Sequence, residues 1–410
     1  MINSLTSYIH FFASSFSDPQ KRKLVLNEFK RANKLPNEDQ VFDRKKGIDQ
    51  AIDWLLSSQK AMKTSKGIGS YHLITGWTSP YPETTGYLIP TLIDYGIKYN
   101  HNESIQAAIE AADWLITIQK QSGGWQGMRV DDQKPEVIFN TAQVVRGLAR
   151  AYQYTGDKKY IEPIKKACDW LCDNQYHRGY WEQFAYPAPI RAFDTYVDVP
   201  LLMAYEIIGD ERYKRTANMN LNWVIYRQQN EKSGWFQQCD NTNHDNRPCI
   251  HPIAYTIDGL IDGGAYFGYE KYIEAAKKAA DMLLTQFHKD KYLHNRYNKN
   301  WNGTGYLNTA GCAQMAIVWM KFYQFTEEVH YLNAAKQINN WLLFIQDRKE
   351  FNLPETKGAL SGSFPLWGRY EKFAFPNWAV KFFIDSIMLE QECTMEKAEQ
   401  ALDKKEKLSA

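Results

Sequence analysis

The sequence predicts an all-α protein built as an (α/α)6 toroid, six helical hairpins closed into an inner and an outer ring. Three observations lead there. A tryptophan-centred phrase recurs along the chain, each copy runs into a loop rich in glycine and aromatic residues, and each loop is followed by a second, more apolar helical segment.

The phrase reads AIDWLLSSQ at 51–59, AADWLITIQ at 111–119, ACDWLCDNQ at 167–175, NLNWVIYRQQN at 220–230 and INNWLLFIQ at 338–346. Its tryptophans are Trp54, Trp114, Trp170, Trp223 and Trp341, with a degenerate copy at Met282, so the steps are 60, 56, 53, 59 and 59 residues. Such a period marks a repeated supersecondary unit. Apolar residues recur within each copy at the helical spacing, which makes the segment an amphipathic helix. The loops SGGWQG, RGYWEQ, KSGWFQ and GSFPLWGRY follow. In AADWLITIQKQSGGW, residues 111–125, Trp114 and Leu115 lock the helix to a neighbour. Gln119 is expected to bond the carbonyls at that helix's C-terminus, while Gly123 and Gly124 permit the turn that ends it.

The second helices are expected at 84–96, 141–152, 195–209, 252–268, 309–323 and 378–389. They are apolar nearly all round, which assigns them to the inner ring. No alternating strand pattern of comparable length competes. Residues 1–45 form a polar, basic leader, residues 46–392 the toroid, and residues 393–410 a charged tail, helical or disordered.

Composition excludes several classes. Lys and Arg number 49 against 47 Asp and Glu, so a net charge of +2 offers no global field for nucleic acid. No apolar run reaches the length of a membrane span. The leader carries no basic region ahead of its apolar patch and no clear cleavage site, so a cytoplasmic protein is expected. Six cysteines in 410 residues do not make a disulfide scaffold, and Cys168 and Cys172 suit burial as small hydrophobes. An aromatic content of 14% exceeds what core filling needs and directs attention to binding surfaces.

The repeated phrase resembles the Gln–Trp repeat of triterpene cyclases, and the layout resembles the toroids of protein prenyltransferases and of sugar-active enzymes. Among the latter it is nearest to unsaturated glucuronyl hydrolases, N-acylglucosamine 2-epimerases and uronyl C5-epimerases. The resemblance covers roughly residues 46–390 and is specific for fold rather than chemistry.

In a closed ring the inner helices begin together around the mouth of a central cavity. Their starts read Glu83, Asn140, Asp194, His251, Asn308 and Asn377, all polar. Asn140, Asp194 and Asn308 also suit helix N-caps. One turn deeper the register reads Tyr87, Val144, Asp198, Tyr255, Cys312 and Lys381. Asp194 and Asp198 share a helix face, and paired acids push their pKa values apart, as general acid–base work requires. Asp258 is a third acid on an inner helix. Glu83, Asp194, Asp198, His251 and Tyr255 are therefore the catalytic candidates. Substrate contacts are expected from Tyr87, Trp125, Arg129, Asn140, Trp181, Arg191, Trp235, Asp258, Asn308 and Trp367. Flat aromatic faces beside forked donors suit sugar rings and their hydroxyl or carboxylate edges.

The expected function is that of a carbohydrate-active enzyme on an oligo- or polysaccharide containing uronic acids. By the resemblance to unsaturated glucuronyl hydrolases, the catalytic acids fall on Asp194 and Glu83. Hydrolysis is placed ahead of epimerisation or elimination, for which Tyr87, His251, Tyr255 and Arg191 are available. A terpene-type toroid lacks its motif, because Asp131-Asp132 has no further acid at the right spacing. Zinc on Cys239, His244, Cys249 and His251 is the metal alternative; otherwise no metal or cofactor is expected. A disulfide between Cys239 and Cys249 is expected only of an exported protein. A non-catalytic glycan-binding toroid completes the alternatives. It would keep the aromatic mouth while its acids are tied in local pairs. No phosphate-cradling loop or nucleotide fingerprint occurs.

Overall fold

The computed structural model describes every residue except 1–3, 33, 37–39, 187–188, 243–245, 348–352 and 410. Two helices, α1 (Ser4–Ser17) and α2 (Pro19–Arg31), precede the ring. The first hairpin pairs outer α3 (Arg44–Ala61) with inner α4 (Pro82–Tyr99). The second pairs α5 (Asn102–Thr117) with α6 (Ile138–Thr155), and the third α7 (Ile161–Asp173) with α8 (Thr195–Ile208). The fourth pairs α9 (Glu211–Trp223) with α10 (Ile250–Phe267), and the fifth α11 (Glu270–Asp290) with α12 (Thr309–Thr326). The sixth pairs α13 (Val329–Gln346) with α14 (Asn377–Ser409), a helix that runs on through the charged tail.

The inner helices pack in sequence from α4 to α14, and α14 packs back on α4, which closes the (α/α)6 toroid. Their composition accounts for the position. Every residue of α12 from Thr309 to Met320 is buried, whereas α11 buries mainly the face of Tyr272, Ala276, Ala280 and Leu283.

The recurrent glutamine does not bond the terminal carbonyls of its own helix, as expected of it; it reaches forward instead. Gln119 donates to Gly123 O within its loop at 2.7 Å and to Pro163 O of the next outer helix at 2.9 Å. Gln59 reaches Ala107 O, Gln175 reaches Thr216 O, and Gln229 reaches Ala275 O in the same manner. The repeat is therefore a clamp between successive outer helices. Gly123 is fixed by the same junction. Its φ is +108°, and a Cβ there would meet Lys166 O at 2.5 Å, so only glycine fits.

Short strand pairs tie the connections together at the end where inner helices begin. β1 (Tyr71–His72) pairs with β2 (Gly76–Trp77), β3 (Arg296–Tyr297) with β4 (Gly303–Thr304), and β5 (Leu307–Asn308) with β6 (Ser363–Phe364). β7 (Ala374–Phe375) pairs with β1, joining the last connection to the first. The α1–α2 hairpin covers this last connection. Phe11 stacks on Phe373 at 3.7 Å, Tyr8 Oη donates to Trp367 O at 2.7 Å, and Leu366 N donates to Glu28 Oε1 at 3.0 Å.

Among the described residues no helix is long and apolar enough to cross a membrane.

Candidate active site

A cavity of about 330 Å3 opens where the inner helices begin, a volume that suits a small ligand or sugar residue. The lumen-facing register is the second residue of an inner helix. Glu83 on α4, Phe139 on α6, His251 on α10 and Trp378 on α14 all hold that place and all line the cavity. Tyr87 and Tyr255 extend it one turn deeper, and Asn140 stands beside Phe139. Two larger depressions, about 830 and 890 Å3, lie on the outer ring away from this constellation, one between α3 and α5 and one between the α7–α8 connection and α9.

Glu83 reaches the cavity but is otherwise enclosed by protein. Burial pushes its carboxyl up to about 7, against the opposing pull of Arg191 and Tyr81. Arg191 is 1% exposed and lies with Nη2 2.9 Å from Asp194 Oδ1 and Nε 3.3 Å from Oδ2. Its Nη1 donates to Tyr186 O at 2.9 Å. Burial raises Asp194 to about 6 despite that partner.

His251 Nδ1 is hydrogen-bonded to Gln314 Oε1, an acceptor, so Nδ1 carries the proton and Nε2 keeps its lone pair. Burial lowers its pKa to about 4, which keeps the ring neutral. Its ring lies 4.5 Å from that of Tyr255. The Tyr87 and Tyr255 hydroxyls are near enough to perturb each other's acidity, yet Tyr255 Oη is buried with no well-formed hydrogen bond. Asn140 Nδ2 is likewise buried without one. Tyr81 and Tyr87 are their polar neighbours, and both atoms can turn to a hydrogen-bonding guest.

The sixth connection supplies a second acid that the helix register does not reveal. Glu371 lines the cavity beside Tyr370, whose Oη accepts from Trp378 Nε1 at 2.8 Å. Burial raises the Glu371 carboxyl, and the nearby Arg129 charge opposes that. Its φ of +44° and the +60° of Phe373 are left-handed conformations uncommon for such residues. The available signal was compositional: Glu371 follows the polar, aromatic stretch GSFPLWGRY directly.

Of the expected residues, the structure gathers Glu83, Tyr87, Asn140, Arg191, His251 and Tyr255 at the cavity and places the others elsewhere. Asp194 touches it only through Arg191. Asp198 is fully buried, and neither carboxyl oxygen has a hydrogen-bond partner; burial and then Asp194 push it well above the usual carboxylate range. Asp258 sits seven residues beyond His251, about 10 Å deeper along α10, and pairs with Lys321 at 2.7 Å. Lys381 pairs with Asp385 at 2.7 Å. Trp125 and Trp181 are wholly buried and donate to Leu115 O and Leu171 O, so they seal hairpins rather than face a ligand. Trp235 is buried beside a separate surface depression, and Trp367 lies against Phe29 of the N-terminal hairpin. Arg129 is exposed at the rim near Glu371.

Of the three expected N-caps only Asn308 acts as one, accepting from Gly311 N at 3.1 Å; it is fully buried away from the cavity. Asn140 is the third residue of α6, and Asp194 makes no side-chain capping bond. Cys239 Sγ lies 3.2 Å from Thr256 Oγ1, and Cys249 Sγ donates to Asn295 Oδ1 at 3.0 Å. His244 lies outside the described residues. Among the described residues no group of three His, Cys, Asp or Glu is arranged to hold a metal ion.

The pectic acid lyase family matches residues 130–199, a span that includes Asn140, Arg191 and Asp194. A search of curated proteins finds no sequence match. Solved structures match over most of the chain. One is an unsaturated glucuronyl hydrolase specific for heparin, with 15% identity, 86% of this chain and 98% of that one covered, and a TM-score of 0.68. Another, from a Bacillus species, is described as responsible for glycosaminoglycan degradation, with 13% identity, coverage of 84% and 96%, and a TM-score of 0.66. Cellobiose 2-epimerase from Bacillus thermoamylovorans matches with 12% identity, coverage of 84% and 98%, and a TM-score of 0.67. At these identities the likeness establishes the (α/α)6 toroid as the shared fold.

Proposed function

We propose that this chain is an enzyme acting on an oligo- or polysaccharide, with Glu83 as the proton donor and hydrolysis as its reaction. One observation carries the reading: a carboxyl held near neutrality faces a sugar-sized cavity walled by aromatic rings. An acid whose pKa lies near the working pH is suited to protonate a leaving oxygen. Glu83 passes its proton to the glycosidic oxygen as the C1–O bond breaks with its electron pair on that oxygen. Glu371, in the same cavity, takes a proton from the water whose oxygen bonds C1, and exchange with solvent resets both carboxyls. Tyr87, Tyr255 and Trp378 supply stacking surface and hydroxyl partners for the sugar, and Arg191 holds Asp194 and the loop of Tyr186 in place.

The substrate is proposed to contain uronic acids. Arg129 at the rim is a cation for a sugar carboxylate, the similar structures include hydrolases named for glucuronyl groups, and the pectic acid lyase match points the same way. No metal or cofactor enters this proposal, and a cytoplasmic setting is proposed with it.

A second reading rests on His251, whose neutral ring and unprotonated Nε2 suit proton abstraction in epimerisation or elimination. Incubation with neutral and uronic-acid oligosaccharides separates the two. New reducing ends identify hydrolysis, ultraviolet absorbance of a new double bond identifies elimination, and deuterium uptake from solvent identifies epimerisation. Glu83→Gln is expected to lower kcat by roughly a hundredfold or more with folding intact. Full activity in that variant would overturn the assignment.

A further inference from the structure

We propose a second saccharide-binding site, outside the cavity, for an anionic stretch of a polysaccharide chain. It is the groove of about 890 Å3 where the third and fourth hairpins meet, lined by Arg178, Arg227, His177, Tyr180, Trp223 and Tyr226. The inference rests on the saccharide-active reading of the cavity.

The repeat provides an internal comparison. An equivalent groove of about 830 Å3 lies between the first and second hairpins, and there the charges cancel. Lys60 pairs with Glu103 at 2.7 Å and Lys66 with Glu110 at 2.9 Å. The groove between the third and fourth hairpins has the same architectural origin but no carboxylate in its lining. Arg178 and Arg227 form no ion pair or hydrogen bond within the described chain, and both are exposed.

Aromatic surface accompanies these cations. Tyr180 and Trp223 lie 5.2 Å apart, and Tyr226 is 65% exposed. Lys271 Nζ sits 5.4 Å from the Tyr226 ring and donates to Asn222 Oδ1 at 2.7 Å, adding a third positive charge. Among the described residues α9 alone of the outer helices runs into a π-helical turn, Val224–Gln228, and that turn carries Tyr226 and Arg227. Such turns cost hydrogen-bond regularity and are frequent at functional sites. Forked guanidinium groups beside flat rings match a sugar chain bearing carboxylates or sulfates. With a net charge of only +2 on the whole protein, attraction here is local rather than global.

The groove also lies at the catalytic end of the ring. The connection between α7 and α8 contributes His177, Arg178 and Tyr180 to the groove and Tyr186 and Arg191 to the cavity. A polymer engaged at the mouth can therefore continue onto this flank.

The test is calorimetric titration of the full chain with polygalacturonate, with heparin and with uncharged dextran, alongside turnover of short oligosaccharides. Wild type is expected to bind one or both anionic polymers and not dextran. Preference between the first two separates carboxylate from sulfate recognition. Arg178→Gln combined with Arg227→Gln should weaken that binding about tenfold, as for the loss of charged hydrogen bonds, and Tyr226→Ala by roughly fivefold. Turnover of short oligosaccharides should stay unchanged in all variants. No binding of either polymer by wild type overturns the site. So does equal binding by the double arginine variant, or loss in that variant without any effect of Tyr226→Ala, which marks diffuse charge attraction. Polymer binding that persists while no saccharide is turned over defeats the catalytic reading and leaves the groove standing.

Discussion

Gln346 donates to Gly47 O at 2.8 Å, joining the last outer helix to the first across 299 residues of chain. The same amide bonds Gly358 O at 2.8 Å. Gln346→Ala removes both bonds, leaving the Gly358 carbonyl unmet and Gly47 O with its intrahelical partner alone, an expected loss of about 1–3 kcal/mol in urea denaturation. Gln119→Ala, at a partly buried junction, should cost less. Equal, negligible effects would show that the clamp contributes nothing to closure.

Glu83 gives stability a pH dependence of definite sign. Its carboxyl is raised from 4.5 to about 7 in the folded state, and Asp194 from 3.8 to about 6. The folded chain therefore keeps protons that the unfolded chain releases, and this contribution is complete below pH 4 and lost as pH rises through about 7. Glu83→Gln should match wild type in acid and exceed it in alkali by about 3 kcal/mol, read from paired denaturation curves. Wild-type activity should decline on the alkaline side as the proton donor ionises.

Burial and then the neighbouring Asp194 favour the protonated form of Asp198. With both oxygens buried and unbonded, Asp198→Asn exchanges one uncharged group for another of the same shape. Stability within about 1 kcal/mol of wild type and retained turnover are expected. Loss of catalysis in a folded variant would restore this residue to the chemistry.

Trp181 and Trp378 should separate by function. Trp181→Phe forfeits one buried hydrogen bond, about 1 kcal/mol, with sugar affinity unchanged. Trp378→Phe frees Tyr370 Oη at the cavity wall and should raise KM for the saccharide. Thermal melting and steady-state kinetics on both variants check this.

The ring was legible because its signal is repetition: helical periodicity and a regular tryptophan are properties of sequence alone. The site was legible only where the helix starts agreed in phase. Glu83 and His251 are second residues of their helices and were found, and Tyr87 and Tyr255 followed one turn on. Asp194 precedes α8, which begins at Thr195 after a 3-10 turn at Ala192–Asp194. That two-residue offset rotates Asp194 and Asp198 by about 200° away from the lumen. Glu371 escaped for a different reason: its direction is set by a left-handed loop and by partners distant in sequence, which no periodicity encodes.

The contact of Glu28 with Leu366 has a temporal meaning. The loop bearing Glu371 is braced by a segment synthesised 338 residues earlier. Nascent chains short of the sixth hairpin therefore lack half of the proposed carboxylate pair. On the proposed assignment of Glu83 and Glu371, a product that stalls before the sixth hairpin is expected to be catalytically silent.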